Sequence, residues 1–252
     1  MKQTQRHDVI IELVKRQGYV STEELVEHFS VSPQTIRRDL NDLAEQNQIQ
    51  RHHGGAALPS SAENTAWHDR RMMYSEEKAS IARSVAAQIP EGSTLFIDIG
   101  TTPEAVAHAL LNHQHLQVVT NNLNVATLLM AKPEFRVIIA GGDVRTRDGG
   151  IIGEATMDFI SQFRLDYGIL GISGIDMDGT LLEFDYHEVR TKRAIIENSR
   201  NVILVTDHSK FGRNAMVNLG NISMLDSLYT DRKPPEELLR VIRQHDVQLV
   251  LC

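Results

Sequence analysis

Two stretches carry side chains whose types and spacing can do chemistry. The first is Asp98-Ile99-Gly100-Thr101-Thr102-Pro103, which follows an apolar run and opens a helical pattern. Glycine lets the backbone fold back, two hydroxyls can donate, and a helix N-terminus offers unpaired N–H groups with partial positive charge. That combination suits an anion, phosphate above all. A cation able to neutralise it, Lys210, lies in Asp207-His208-Ser209-Lys210-Phe211, directly after a later apolar run. The second stretch is 31–40. Ile36, Leu40 and Leu43 fall on one side of a helix at i, i+4, i+7 spacing. Gln34, Arg38, Asn41 and Glu45 project from the other side, with Thr35 and Arg37 on its flanks. Arg, Gln and Asn read base edges bidentately, and Arg also holds phosphate. Taken alone, the same pattern also fits an ordinary amphipathic helix with a solvated charged face.

The flanking elements favour the nucleic-acid reading. Ser32 suits the N-cap and Pro33 the first helical position. Upstream, Ser21-Thr22-Glu23-Glu24 is a capping box opening a helix with Leu25, Val26 and Phe29 inward. Before it, 4–17 predicts a helix with Val9, Ile10, Leu13 and Val14 inward and Gly18 as its stop. Downstream, 49–57 reads as a two-stranded ribbon bearing Arg51, His52 and His53 beside two glycines. Together these predict a winged helix-turn-helix. Its expected DNA contacts are Ser32, Gln34, Thr35, Arg37, Arg38, Asn41, Arg51, His52 and His53. Within 1–57 acids outnumber lysines and arginines, eight to seven. A coat protein would show a positive excess. The balance instead points to a site-selective binder acting as two or more copies on repeated half-sites.

The rest of the chain has a different texture. Its 252 residues suit one small and one medium domain, and 41% hydrophobic with 23% charged residues is ordinary for a soluble protein of net charge −7. No apolar run reaches a membrane span and the polar start is not a signal peptide. With Cys252 the single cysteine, no internal disulfide is possible and a reducing cytoplasm is expected. The polar 58–65 stretch marks the boundary, giving a DNA-binding domain over 1–58, a linker over 59–74 and an α/β domain over 75–252. There, helices are expected at 75–89, 103–111, 123–130 and 185–198. Strands are expected at 94–99, 116–120, 135–140, 167–170, 201–206, 227–230 and 248–251. Such alternation predicts a mostly parallel sheet covered on both faces. Ligands bind outside the carboxyl ends of these strands. Asp98, Gly100, Thr101, Thr102, Asn121, Asn122, Gly141, Gly142 and Lys210 all stand there. Each taken singly is better explained as a turn residue closing a βα loop; together they suggest a pocket. Walker and dinucleotide spacings are absent.

With the Ser32-Pro33 cap followed by Arg37-Arg38-Asp39-Leu40, the 51–56 wing, Asp98-x-Gly100-Thr101-Thr102 and Asp207-x-Ser209-Lys210, nearly the whole chain resembles the DeoR family of bacterial repressors. The resemblance implies a winged helix on operator DNA and a sensor related to sugar-phosphate isomerases, with a phosphorylated metabolite as inducer. A closer resemblance within the family, carried by 96–111, 149–163 and 170–218, implies sn-glycerol 3-phosphate as inducer, repression of glycerol catabolic genes and a homotetramer. Dimer and tetramer are both compatible with the residues themselves. Carried over by position, the phosphate contacts fall to Gly100, Thr101, Thr102 and Lys210, and Asp176 lies in a stretch that resembles the isomerases' acidic loop. Asn47 departs from the family's usual glycine before the wing. The competing reading is an isomerase with a DNA-binding appendage, using Asp98, Asp176 or Glu188 as base; a third is an interaction module without a small ligand.

Glu188 and Lys192, at i, i+4, read more readily as a surface ion pair than as ligand contacts. No metal and no cofactor are expected, since His52-His53, His113-x-His115 and His187-Glu188 lack ligand spacing. Trp67, with Arg70 and Arg71, reads most plainly as an anchor on the sensor.

Overall fold

The computed structural model describes residues 3–17, 19–46, 48–52, 54–57 and 67–252. The expectations placed on Gly18, Asn47, His53 and the 58–66 part of the linker fall outside them.

Three helices and a small sheet form the N-terminal unit: α1 (Gln3–Gln17), β1 (Tyr19–Ser21), α2 (Thr22–Phe29), α3 (Pro33–Glu45), β2 (Gln50–His52) and β3 (Gly55–Ala57). Ile10, Val14, Leu25, Ile36, Leu40, Leu43 and Ile49 are buried together as its core. The capping box is made: Ser21 Oγ accepts the Glu24 N–H at 3.1 Å and Glu24 Oε2 accepts the Ser21 N–H at 2.8 Å. Ser32 caps α3 by accepting the Thr35 N–H at 3.2 Å. Two features were not legible in the sequence. The strand β1 pairs antiparallel with β3, so the wing has three strands in the order β1-β3-β2. Three residues are too few to show periodicity, and their partner lies some 36 residues downstream. Second, Asp39 points inward from α3. It is buried, accepts from Arg6 Nη2 at 3.0 Å and lies 3.2 Å from His7 Nε2, tying α3 to α1.

The remainder is one α/β domain. It opens with α4 (Trp67–Met72), inside the segment expected as linker, and α5 (Ser75–Ala86). Trp67 Nε1 donates to Glu104 Oε1 at 3.2 Å, so α4 is anchored on the sensor. There follow β4 (Thr94–Ile97), α6 (Thr101–Ala109), β5 (Gln117–Thr120), α7 (Leu123–Leu129) and β6 (Arg136–Ile139). A hairpin, β7 (Asp143–Val144) with β8 (Ile151–Ile152), leads to α8 (Glu154–Ile160) and β9 (Leu165–Leu170). After β10 (Gly174–Ile175) and β11 (Thr180–Glu183) come α9 (Tyr186–Glu197) and β12 (Ser199–Val205). The chain closes with β13 (Val217–Asn221), β14 (Ser227–Thr230), α10 (Glu236–Gln244) and β15 (Gln248–Leu251).

Seven strands form the main sheet in the order β15-β14-β12-β9-β4-β5-β6, each pair parallel. Side chains alternate across it. Leu95 and Ile97 pack under α5 and α6 with Ile81, Val85 and Val106, while Phe96 faces α9 and α10 with Ile195 and Ile242. Both faces are therefore apolar, as parallel strands require. A second, antiparallel sheet, β10-β11-β13, caps one end. It was not predicted, because β10 has only two residues and the bulged register of β11 on β13 leaves no regular pattern to read. From β4 the chain runs outward to β5 and β6, then returns to β9 on the other side of β4. The crevice where direction reverses lies outside the carboxyl ends of β4 and β9, where open α/β sheets bind ligands.

Candidate functional site

The site at that reversal is built first from Gly100. Its φ of 140° is open to glycine alone, and a Cβ there would press on the Pro103 ring at 3.2 Å. The turn starts α6 at Thr101 with no side-chain cap, and the first ladder bond runs from the Glu104 N–H to the Gly100 carbonyl at 3.0 Å. The N–H groups of Thr101 and Thr102 precede that ladder, at the positive end of the helix.

The cleft is lined by Gly100, Thr101 and Thr102 after β4, Gly171, Ile172 and Ser173 after β9, and Lys210 after β12. Arg70 of α4, Arg213, Glu183 of β11, and Glu188 and Lys192 of α9 also line it, with Arg147 and Asp148. Lys210 closes a short 3-10 turn capped by Asp207, whose Oδ1 accepts the Ser209 N–H at 3.0 Å, and its Nζ donates to Ser209 Oγ at 3.1 Å. Burial pulls the Lys210 ammonium down to about 7 against the attraction of Asp207, and repulsion from Arg213, Lys78 and Arg70 adds to it. Burial also lowers Arg213 to about 10, with Arg70 as the next cause. Cations crowded to this degree favour an incoming anion.

The floor has the opposite character. Lys192 is 0% exposed. Its Nζ bonds Asp98 and donates to the Gly171 carbonyl at 3.0 Å, and it lies 3.4 Å from both Glu183 and Glu188. Arg145 holds Glu188 at 2.7 Å and Asp148 at 2.8 Å. Ser173 Oγ donates to Glu183 Oε2 at 2.5 Å. Burial and the neighbouring Glu188 push the Glu183 carboxyl up, while Lys192 and Arg145 hold Glu188 below the usual carboxylate range against the opposing effect of burial. The expectation that Glu188 and Lys192 form a surface pair is overturned. Spacing of i, i+4 places two residues on one helix face, and only packing decides whether that face meets water.

Of the expected ligand residues, Gly100, Thr101, Thr102 and Lys210 line the cleft, and Asp98 lies beneath it on Lys192. The others are placed elsewhere. Asn121 is buried and donates to the Ile151 carbonyl, and Asn122 caps α7 and donates to Glu104. They follow β5, and Gly141 and Gly142 follow β6, on the far side of β4 from the crevice. Gly142, at φ 143°, lies where a Cβ would collide with Thr156 Oγ1. Asp176 belongs to the β10–β11 turn. Strand order governs this outcome, and it leaves no mark in the sequence. Arg70 and Glu183 were missed because nothing local connects α4 or β11 to the crevice; Arg213, three residues after Lys210, was missed although its neighbour was read.

On the N-terminal unit, Gln34, Arg37, Arg38 and Asn41 are exposed along one face of α3, and Thr35 is half-buried beside its hydroxyl partner Ser32 at 2.9 Å. Arg51 of the wing is exposed and bonds Asn41, joining wing and helix into one surface. His52 ends β2. An exposed helix face carrying two arginines, a glutamine and an asparagine beside a basic wing is suited to a DNA groove.

Comparison with known proteins agrees with both halves. A family profile described as the DeoR-like helix-turn-helix domain matches residues 6–62, and one described as the DeoR C terminal sensor domain matches 73–232. The glycerol-3-phosphate regulon repressor of Escherichia coli (strain K12) is 77% identical over 252 residues, covering 100% of each chain. The protein of the same name from Haemophilus influenzae is 60% identical, covering 100% of this chain and 98% of its own. Ribose 5-phosphate isomerase A from Neisseria gonorrhoeae superposes at a TM-score of 0.39 and 16% identity, covering 53% of this chain and 52% of its own, a distant likeness. The relatives matched end to end are repressors, so the reading as an isomerase with a DNA-binding appendage is set aside. With both of its domains matched and identity of this order along its whole length, the chain belongs to the DeoR family of helix-turn-helix transcriptional repressors.

Proposed function

We propose that this chain represses genes of glycerol and glycerol-phosphate catabolism in the cytoplasm, and that sn-glycerol 3-phosphate releases it from operator DNA. DNA contact is assigned to Ser32, Gln34, Thr35, Arg37, Arg38, Asn41, Arg51 and the wing histidines His52 and His53. Two or more copies act on repeated half-sites, as a dimer or tetramer, because one small reading surface buries too little for useful affinity.

The observation that carries the choice of ligand is the polarity of the cleft. Its rim gathers Arg70, Lys210 and Arg213 around the Gly100–Thr102 turn, and its floor presents Glu183 and Glu188 around Lys192. The rim suits a phosphate dianion. The floor is rich in acceptors and suits hydroxyl donors, while a carboxylate on the ligand would be repelled. A phosphorylated polyol satisfies both ends. Its differential affinity for two arrangements of the assembly supplies the release.

The test is a thermal-shift panel of glycerol 3-phosphate, 3-phosphoglycerate, ribose 5-phosphate and glucose 6-phosphate, followed by release of the full chain from operator DNA in a gel shift. Glycerol 3-phosphate is expected to raise the melting temperature most and to release the complex. A panel without any shift would instead support an interaction module lacking a small ligand.

A further inference from the structure

The turn that carries Lys210 also touches the DNA-binding unit. His208, two residues before Lys210, is buried between two carboxylates from different domains. Its Nδ1 lies 2.6 Å from Asp231 Oδ2, and its backbone N–H donates to Asp231 Oδ1 at 2.7 Å. On the other side, Nε2 lies 3.0 Å from Glu24 Oε1. A ring bonded through both nitrogens to carboxylates donates from both and is an imidazolium. Tyr74, between α4 and α5, donates its hydroxyl to the same Glu24 oxygen at 3.3 Å and packs edge-on against the His208 ring at 4.8 Å.

Glu24 is the N3 residue of the capping box, and its other oxygen fixes the Ser21 N–H where β1 joins α2. β1 in turn pairs with the wing strand β3. One carboxylate therefore fastens the helix start, the wing sheet and the ligand-binding domain. The bond is held in an arrangement that leaves Gln34, Arg37, Arg38 and Asn41 exposed, so it is compatible with DNA reading.

We infer that Glu24 and His208 form the contact through which occupancy of the phosphate cleft is read by the helix-turn-helix. The inference rests on the function proposed above and adds its route of regulation. In the structure Lys210 donates to Ser209 Oγ and Asp207 caps the turn. A phosphate group draws the ammonium away from Ser209, the turn relaxes, and His208 shifts with it. The charge-assisted bond to Glu24 is lost and the reading heads leave the spacing of the half-sites. Glu24 and His208 are positioning residues; neither touches DNA or ligand.

The test uses the full-length chain with Glu24→Gln, His208→Gln, the double variant and Tyr74→Phe. Glutamine at N3 still completes a capping box, so Glu24→Gln removes the charge and leaves the cap. Operator affinity is measured with and without sn-glycerol 3-phosphate, on a duplex selected by the wild-type chain from random DNA. Binding of the phosphate itself is followed by calorimetry. Coupled sites ordinarily differ by about 5–150-fold, and the wild-type ratio is expected in that range. Glu24→Gln and His208→Gln should bind glycerol 3-phosphate more tightly than wild type, by about the factor by which they weaken operator binding without ligand, and bind the operator without ligand as weakly as the wild type does with it. The double variant should lose no more than either single one. By reciprocity, operator DNA should weaken ligand binding to wild type and leave the variants unaffected. Should Glu24→Gln melt early, His208→Gln and Tyr74→Phe read the same contact from the sensor side. A full wild-type ratio in the single variants, or losses that simply add, would overturn the inference alone. A wild-type chain that binds no glycerol 3-phosphate would overturn the proposed function as well.

Discussion

At the scale of single residues, burial decides what a charged side chain does. Arg38 and Asp39 are neighbours of opposite charge with opposite fates: Arg38 is exposed on the reading face, and Asp39 is buried against Arg6 and His7. Replacing Arg38 by alanine is expected to weaken operator binding by about 1–3 kcal/mol per subunit; unchanged affinity in a gel shift would show that α3 is not the reading helix. Lys210 is a comparable case in the cleft. Its ammonium is held low by burial and by repulsion from Arg213, Lys78 and Arg70, so its partner of choice is an anion. Lys210→Ala should keep operator binding and lose about 1.5–3 kcal/mol of ligand affinity, a bond to a charged group. Calorimetry and operator release check it, and release at ordinary ligand concentration would mean the phosphate lies elsewhere.

Among the elements, ends and edges carry most of the specification. Ser32 and Pro33 start α3 by rules visible in four residues, and the structure makes that cap. Removing it with Ser32→Ala should cost about 1 kcal/mol of local stability. Amide exchange at Ile36 and Leu40 should then quicken about fivefold, with the sensor amides unaffected. The strands of the main sheet were equally legible, because parallel strands buried on both faces read as apolar runs such as Thr94–Ile97 and Val202–Val205. Outside the 49–57 ribbon, elements of two or three residues were not. β1, β7, β8 and β10 owe their existence to partners distant in sequence. No local propensity announces them.

For the molecule as a whole, the contact between its two units sets a dependence on pH. Burial pulls the His208 imidazolium down, but hydrogen bonds and charge from Asp231 and Glu24 outweigh it and raise the group from 6.5 to about 9. Glu24, pushed up by burial, is brought down from 4.5 to about 2 by His208 and the Ser21 cap. The histidine's contribution to stability is therefore complete below pH 6.5 and lost as the pH rises through 9; that of the glutamate is present above 4.5 and lost as the pH falls through 2. Tyr74 faces the same Glu24 oxygen and is raised beyond this range. Thermal melts should accordingly lose more stability between pH 6.5 and 9 in the wild type than in His208→Gln; parallel curves would show that the ring is not charged. What the sequence determined by itself is everything set by contacts near in the chain: the capped helices, the apolar strands, the Gly100-Thr101-Thr102 turn, and two domains of different texture. Only the tertiary structure decided which of the residues after the strands converge. Strand order puts the reversal between β4 and β9, bringing Arg70, Glu183 and Arg213 to the Gly-Thr-Thr turn and leaving Asn121, Asn122, Gly141 and Gly142 across the sheet. Order in a sheet is chosen by packing of whole layers, a property of the assembled core that no window of sequence contains.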